Sequence, residues 1–169
     1  PGAETGSGYV LSATPATQID ASFVINAMSV VGNLDLIADT AQIAKKVSIS
    51  ANTDLLNDGT GSVNVVTKGD ISISETGDLR VRNLQSTAGN VSAASTTAIV
   101  DVEGTNSTTA WISGQKITLT AGAGGVGSAT NLLEIDSTTL VDAKADGSVF
   151  LREVSGELNI GAILSRSAD

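Results

Sequence analysis

Apolar and polar side chains alternate one for one through most of the chain, in short runs rather than long stretches. Val47-Ser48-Ile49-Ser50-Ala51, Ile71-Ser72-Ile73-Ser74, Leu79-Arg80-Val81-Arg82, Lys116-Ile117-Thr118-Leu119-Thr120-Ala121 and Leu140-Val141-Asp142-Ala143 all keep this period of two. An extended strand turns successive side chains to opposite faces, so each run predicts a strand with one apolar and one polar side. Only residues 37–47 have any helical flavour, and they lack an apolar stripe, so strand and corner are expected there too.

One pattern is written twice. Residues 69–86 and 147–165 share a template, offset by 78 positions from Gly69 to Gly147 and by 79 from Gly77 to Gly156, after one inserted residue at Ser155. Each copy holds two strands, and each strand is opened by a glycine and a small polar or acidic residue, as in Gly69-Asp70, Gly77-Asp78, Gly147-Ser148 and Gly156-Glu157. The glycines within a copy are eight or nine positions apart (77 − 69 and 156 − 147), which leaves room for a strand and a tight corner but no helix. Repetition of such a unit is a solenoid signature. The copies sit in two related halves, about 47–91 and 116–169, within a repeat segment spanning 19–169. Residues 1–18 read as an irregular lead-in or incomplete first coil. Residues 52–67 and 122–145 are variable inserts between equivalent strands, and the polar residues 103–109 are expected to be the most solvated loop.

Strands this short fit either antiparallel hairpins in a sandwich or a parallel coil. Hairpins favour a turn with glycine second, such as Asn-Gly or Asp-Gly. Here the glycine usually comes first, also in Gly32-Asn33 and Gly89-Asn90, which suits a corner bending the same way on every turn. Coils of roughly 20 residues with strands about 4.8 Å apart would give about eight coils and a rod on the order of 40 Å.

Composition narrows the core. Aromatic residues make up 2% of the chain, namely Tyr9, Phe23, Trp111 and Phe150, so a thin prism lined by Val, Ile, Leu and Ala is expected rather than a ball. The formal net charge of −9, with 18 acidic against nine basic residues, argues against binding to nucleic acid or insertion at an anionic membrane, both of which favour a basic surface. No run reaches the roughly 18 apolar residues of a membrane span, and no signal peptide is visible. The chain has no cysteine and no histidine, which excludes disulfides and thiolate or imidazole metal sites. Its start at Pro1, and its stop where another glycine-led strand would follow, give the expectation of a piece truncated at both ends from a longer array.

Several motifs carry chemistry elsewhere and read as structure here. Residues 122–127 are glycine-dense like a phosphate cradle, but no P-loop lysine, Ser/Thr or helix follows, so a flexible corner is expected. Asp54, Asp58 and Asp70, or Asp136, Asp142 and Asp146, lack calcium-loop spacing and read as solvated turn acids. The pairs Glu75 with Asp78 and Glu153 with Glu157 resemble an acid and base, yet a glycosidic site also draws on aromatic platforms, which are scarce. Asn90-Val91-Ser92 and Asn106-Ser107-Thr108 match the glycosylation triplet, as chance alone produces in so polar a chain. Thr118, Thr120, Thr138 and Thr139 do not recur on every coil as an ice-binding ladder would. The expectation is therefore no catalytic, cofactor or metal residues.

The run Gln115-Lys116-Ile117-Thr118-Leu119-Thr120-Ala121-Gly122-Ala123-Gly124-Gly125-Val126-Gly127-Ser128, continued by Asn131-Leu132-Leu133-Glu134-Ile135-Asp136, Leu151, Glu153, Gly156, Leu158 and Gly161, resembles the repeats of filamentous-haemagglutinin-type giant bacterial surface proteins. Residues 116–163 carry it well and 47–91 loosely, while the first 45 residues depart from it and show no secretion-domain motif. The resemblance implies an all-β, right-handed parallel β-helix (β-solenoid) and transfers no catalytic residues. It gives the expectation of a non-catalytic shaft segment of a cell-surface or secreted adhesin or filament, located outside the cell. The expected partners are flanking repeats, end-to-end or lateral copies, or a host or cell-surface glycan or protein. A polysaccharide-binding or polysaccharide-cleaving module on the same scaffold is the alternative.

Overall fold

The computed structural model describes residues 4–5, 21–31, 34–37, 47–55 and 61–166, with side chains for Leu34, Leu36 and 61–166. Residues 56–60 of the first insert and 38–46 of the helix-flavoured stretch lie outside the described residues, as does most of the lead-in. The strands are β1 (Glu4–Thr5), β2 (Ala21–Val31), β3 (Leu34–Ile37), β4 (Val47–Leu55), β5 (Val63–Thr67), β6 (Ile71–Glu75), β7 (Leu79–Ser86), β8 (Val91–Ser95), β9 (Ala98–Asp101), β10 (Ile112–Ala121), β11 (Gly125–Val126), β12 (Leu133–Ala145), β13 (Leu151–Glu153) and β14 (Ile160–Ser165). Every ladder between them is parallel. The fold is a β-solenoid, in which each strand pairs with its equivalent one turn later.

Three faces follow from the register. On the first, Ile49, Ile71, Val91, Ile117, Val141 and Ile160 occupy one column. The second stacks Leu79 with Ile99 and Val126 with Val149. The third carries Leu36, Val65, Leu84, Ile112, Ile135 and Glu153. β10 and β12 each run through two faces, bending at a register shift between Gly114 and Lys116 that inserts one extra residue on the β12 side.

Alternation is borne out by burial. In β6, Ile71, Ile73 and Glu75 point inward and are buried while Ser72 and Ser74 are exposed; in β8 Val91, Ala93 and Ser95 are buried. The core is one cluster of aliphatic side chains running through the rungs, with Trp111, Val149 and Leu151 packed against it. The prism expected from the scarcity of aromatics is the result.

The steps along the first column are 22, 20, 26, 24 and 19 residues (49 to 71, 91, 117, 141 and 160), close to the expected coil length but uneven; the estimate of about eight coils is for the whole chain, and the described residues make about five turns. The corners differ in length, and so do the strands, from 2 residues in β11 to 13 in β12. The template copies also begin on different faces: Ile71 stands on the first face, whereas Val149 stands on the second, in the column of Val126. Leu158 precedes β14 and is exposed.

The glycine-led corners work by close approach. A Cβ on Gly89 would lie 2.5 Å from the carbonyl carbon of Gly69 one turn below, so the two corners stack only as bare backbone. Gly77 has φ +117°, a conformation side chains disfavour. A serine locks the step from turn to turn: buried Ser86 donates from Oγ to Gly69 O at 2.6 Å, and the exposed Ser165 donates from Oγ to Gly147 O at 3.0 Å in the second copy.

Candidate functional site

Most of the motifs singled out above are used up by the fold. The amides of the glycine-dense corner are committed to backbone carbonyls, Gly124 to Thr97, Gly125 to Gly122, Val126 to Ser148 and Gly127 to Ile99, leaving no cradle of free N–H groups. Asp70 Oδ1 accepts from Asn90 N–H at 2.7 Å, Asp142 pairs with Lys116 Nζ at 2.6 Å, and Asp146 lies 3.9 Å from Arg166. The hydrogen bond from Lys116 holds the Asp142 carboxyl below the usual aspartate range. Asp54 and Asp58 lie outside the described side chains, and among the described residues no group of three or more acids could hold a metal.

The carboxylate pairs do not face a common space. Glu75 is buried at an inward position, whereas Asp78 accepts from the Thr97 hydroxyl on the surface. Glu153 occupies the inward column of the third face above Ile135, where its carboxylate accepts from Ser137 N–H at 3.2 and 3.3 Å. Burial pushes its pKa up, against the effect of that bond. Glu157 is exposed. Of the threonines, Thr118 and Thr120 lie on the first face, while Thr139 Oγ1 donates to Gln115 O at the corner. Asn90 and Asn106 both use Oδ1 to accept a backbone N–H, from Lys116 at 3.2 Å and from Leu132 at 2.8 Å.

What the structure does bring together lies between the second and third faces, where the chain passes from β9 to β10. After β9 the chain leaves the prism through residues 102–110 and returns at Trp111. Three buried polar side chains fasten this loop. Asp101 Oδ1 accepts from the N–H groups of Glu103 and Gly104 at 2.9 and 3.0 Å, and its Oδ2 accepts from Asn131 Nδ2 at 2.6 Å. Glu134, 0% exposed, accepts Ser107 N–H on Oε1 at 2.7 Å. Fixing a loop through charged acceptors gives stronger bonds than neutral ones would. Nevertheless Glu134 Oε2, Trp111 Nε1 and Asn131 Oδ1 are buried without a hydrogen-bond partner among the described residues. Arg152, next to Glu134 in register, is exposed and makes no ion pair with it.

Beside this cluster a cleft of about 490 Å³ opens at the bend of β10 and β12, walled by Ser113, Gln115, Asp136 and Thr138 around Gly114. Gly114 is buried and faces the core, where a Cβ would meet Val91 Cγ2 at 2.9 Å. Sequence reasoning named neither Asp101, Glu134, Asn131 nor Trp111 as a functional residue. A carboxylate inside the apolar run Leu132-Leu133-Glu134-Ile135 was the available signal. No family model, curated protein or solved structure matches the chain.

Proposed function

We propose that this chain is a structural shaft segment of a large bacterial cell-surface or secreted adhesin, or of an extracellular filament, of the filamentous-haemagglutinin kind. The observation that carries the reading is the set of unbroken inward columns, such as Ile71, Val91, Ile117 and Val141, in which each rung packs on the next in the same direction. A prism built this way resists bending, because every turn is tied to its neighbours by parallel ladders on its faces. Its role is to hold binding regions at a distance, with residues 102–110 and the other corners available for weak contacts. Its partners in this reading are further rungs, of the same parent chain or of a second copy, added to the open edge at β14.

The test is mechanical and cellular. Single-molecule extension of the chain between marker domains should show resistance released in discrete steps as rungs peel off, and antibodies to the chain should label intact cells of the source organism. Smooth lengthening at minimal force, or labelling confined to permeabilised cells, would rule the shaft out.

A further inference from the structure

The last turn of the prism, its tail, carries two features that oppose each other. Ile160 and Ile163 stand in the inward columns of Val141 and Ala143, yet they are 55% and 41% exposed, and among the described residues β14 pairs with β12 alone. On the same turn, Glu153 occupies the inward column that Leu84, Ile112 and Ile135 fill with aliphatic side chains. Apolar side chains on an uncovered edge invite another strand, and an inward-pointing charge is a device that keeps one off.

The other end of the same columns, the head, supplies the matching edge. Followed rung by rung, the column of Ile160 runs back through Ile117 and Ile71 to Phe23, and that of Ile163 through Leu119 and Ile73 to Ile25. Residues 21–25 pair with β4 alone among the described residues, since β1 meets β2 only at Val30 and Val31. Head and tail are thus parallel edges with the same inward positions and the same strand direction, so the tail of one copy can take the head of the next as it would take a further turn of its own. Tails do not pair with tails in this register, because a two-fold axis either reverses the strands or turns their inward sides outward. A joint between unlike ends repeats without closing and builds a fibre.

We propose that the edge at Ile160–Ser165 docks the head of a second copy at residues 21–25, and that Glu153 gates this joint, holding copies apart while its carboxylate is charged. A copy set on the last turn takes water away from Glu153, and a buried charge without a cation is costly. Among the described residues the charged groups around it supply no such partner. Asp136 on β12 opposes its ionisation, Glu134 on β12 and Arg152 on β13 fall on the alternate positions that face the other side of the sheet, Glu157 in the next corner is exposed, and β14 has no charged residue. Burial already raises the Glu153 pKa in the uncovered turn, so neutralisation, and with it stacking, is favoured as pH falls. The joint rests on the shaft reading for its use, but it is read in solution without force or cells, so the two fail separately.

The intact chain is followed by sedimentation equilibrium up to about 200 μM. At about pH 7.5 the parent should stay monomeric and Glu153→Gln should associate at least about tenfold more tightly, with the parent approaching it toward about pH 5, still above the pI of about 4.2 where unspecific clustering sets in. Glu153→Leu, which completes the aliphatic column, should associate at least as strongly and carries the test if Glu153→Gln misfolds. Adding Ile163→Lys to Glu153→Gln alters an exposed side chain and should block the tail while leaving the head able to cap other copies, so an excess of this double variant should reduce Glu153→Gln fibres to dimers. Glu153 variants no more associated than the parent, a parent unchanged between the two pH values, association that survives Ile163→Lys, or failure of the double variant to cap would each overturn the proposal.

Discussion

The rung at 117–121 and the rung at 160–165 occupy the same columns, and their sequences alternate in similar ways, yet they meet different fates. Leu119 is 1% exposed; Ile163, two rungs on in the same column, is 41% exposed. Every residue from Ile160 to Ser165 is exposed, whereas Ile117, Leu119 and Ala121 are all buried. The difference teaches that alternation sets which side of a strand faces inward, while burial is supplied by rungs above and below. Among the described residues β14 pairs with β12 alone, and apolar residues lie along its uncovered side.

Substituting the same column at its two ends should separate these effects most widely. Leu119→Ala is expected to cost about 2–5 kcal/mol, as truncation in a closed core does. Ile163→Ala should cost less than about 1 kcal/mol, because that side chain has little burial to lose. Denaturant melts of both variants check this, and equal losses would mean that the final rung is covered in solution. The corners give a second contrast of intermediate size. Gly89→Ala forces a Cβ against the backbone of Gly69 and should cost about 1–3 kcal/mol, whereas Gly104, with nothing within 4 Å, should accept alanine at the smaller cost of its positive φ.

The smallest effect concerns Glu153, which caps a column that is aliphatic at Leu84, Ile112 and Ile135. Its folded pKa is raised, so folding favours the protonated form: the group's contribution is fullest below the ordinary glutamate value and is lost as pH rises through the folded value. Glu153→Gln keeps an acceptor for Ser137 N–H and removes the charge. It should raise Tm by on the order of a degree at pH 7 and leave it unchanged near pH 4, as calorimetry at the two pH values would show.

The parallel solenoid was legible because its cause is local: alternation and glycine-first corners are both properties of consecutive residues. The face on which each copy begins was not. Gly69 and Gly147 open similar strands on different faces, since each corner makes the same demand for bare backbone and small polar groups. The buried cluster was illegible for a different reason. Glu134 is covered by Ser107, 27 positions earlier, and Asp101 meets Asn131 30 positions later, so neither side chain's burial is encoded near it. Trp111 was visible as a rarity, but its place beside Glu134 required the length of a whole turn, and turn length is the quantity that varied.

That variation has a consequence of its own. Val81 pairs with Asp101 and Leu84 with Ile112, yet two residues join the first members of these pairs and ten join the second. Ladder registration therefore survives an expansion of one bend by eight residues (10 − 2), and each circuit restarts the count afresh. For such a scaffold, insertions and deletions at that bend are close to neutral for the framework, which frees this one spot to diversify or to accept a grafted peptide while its surroundings stay constant.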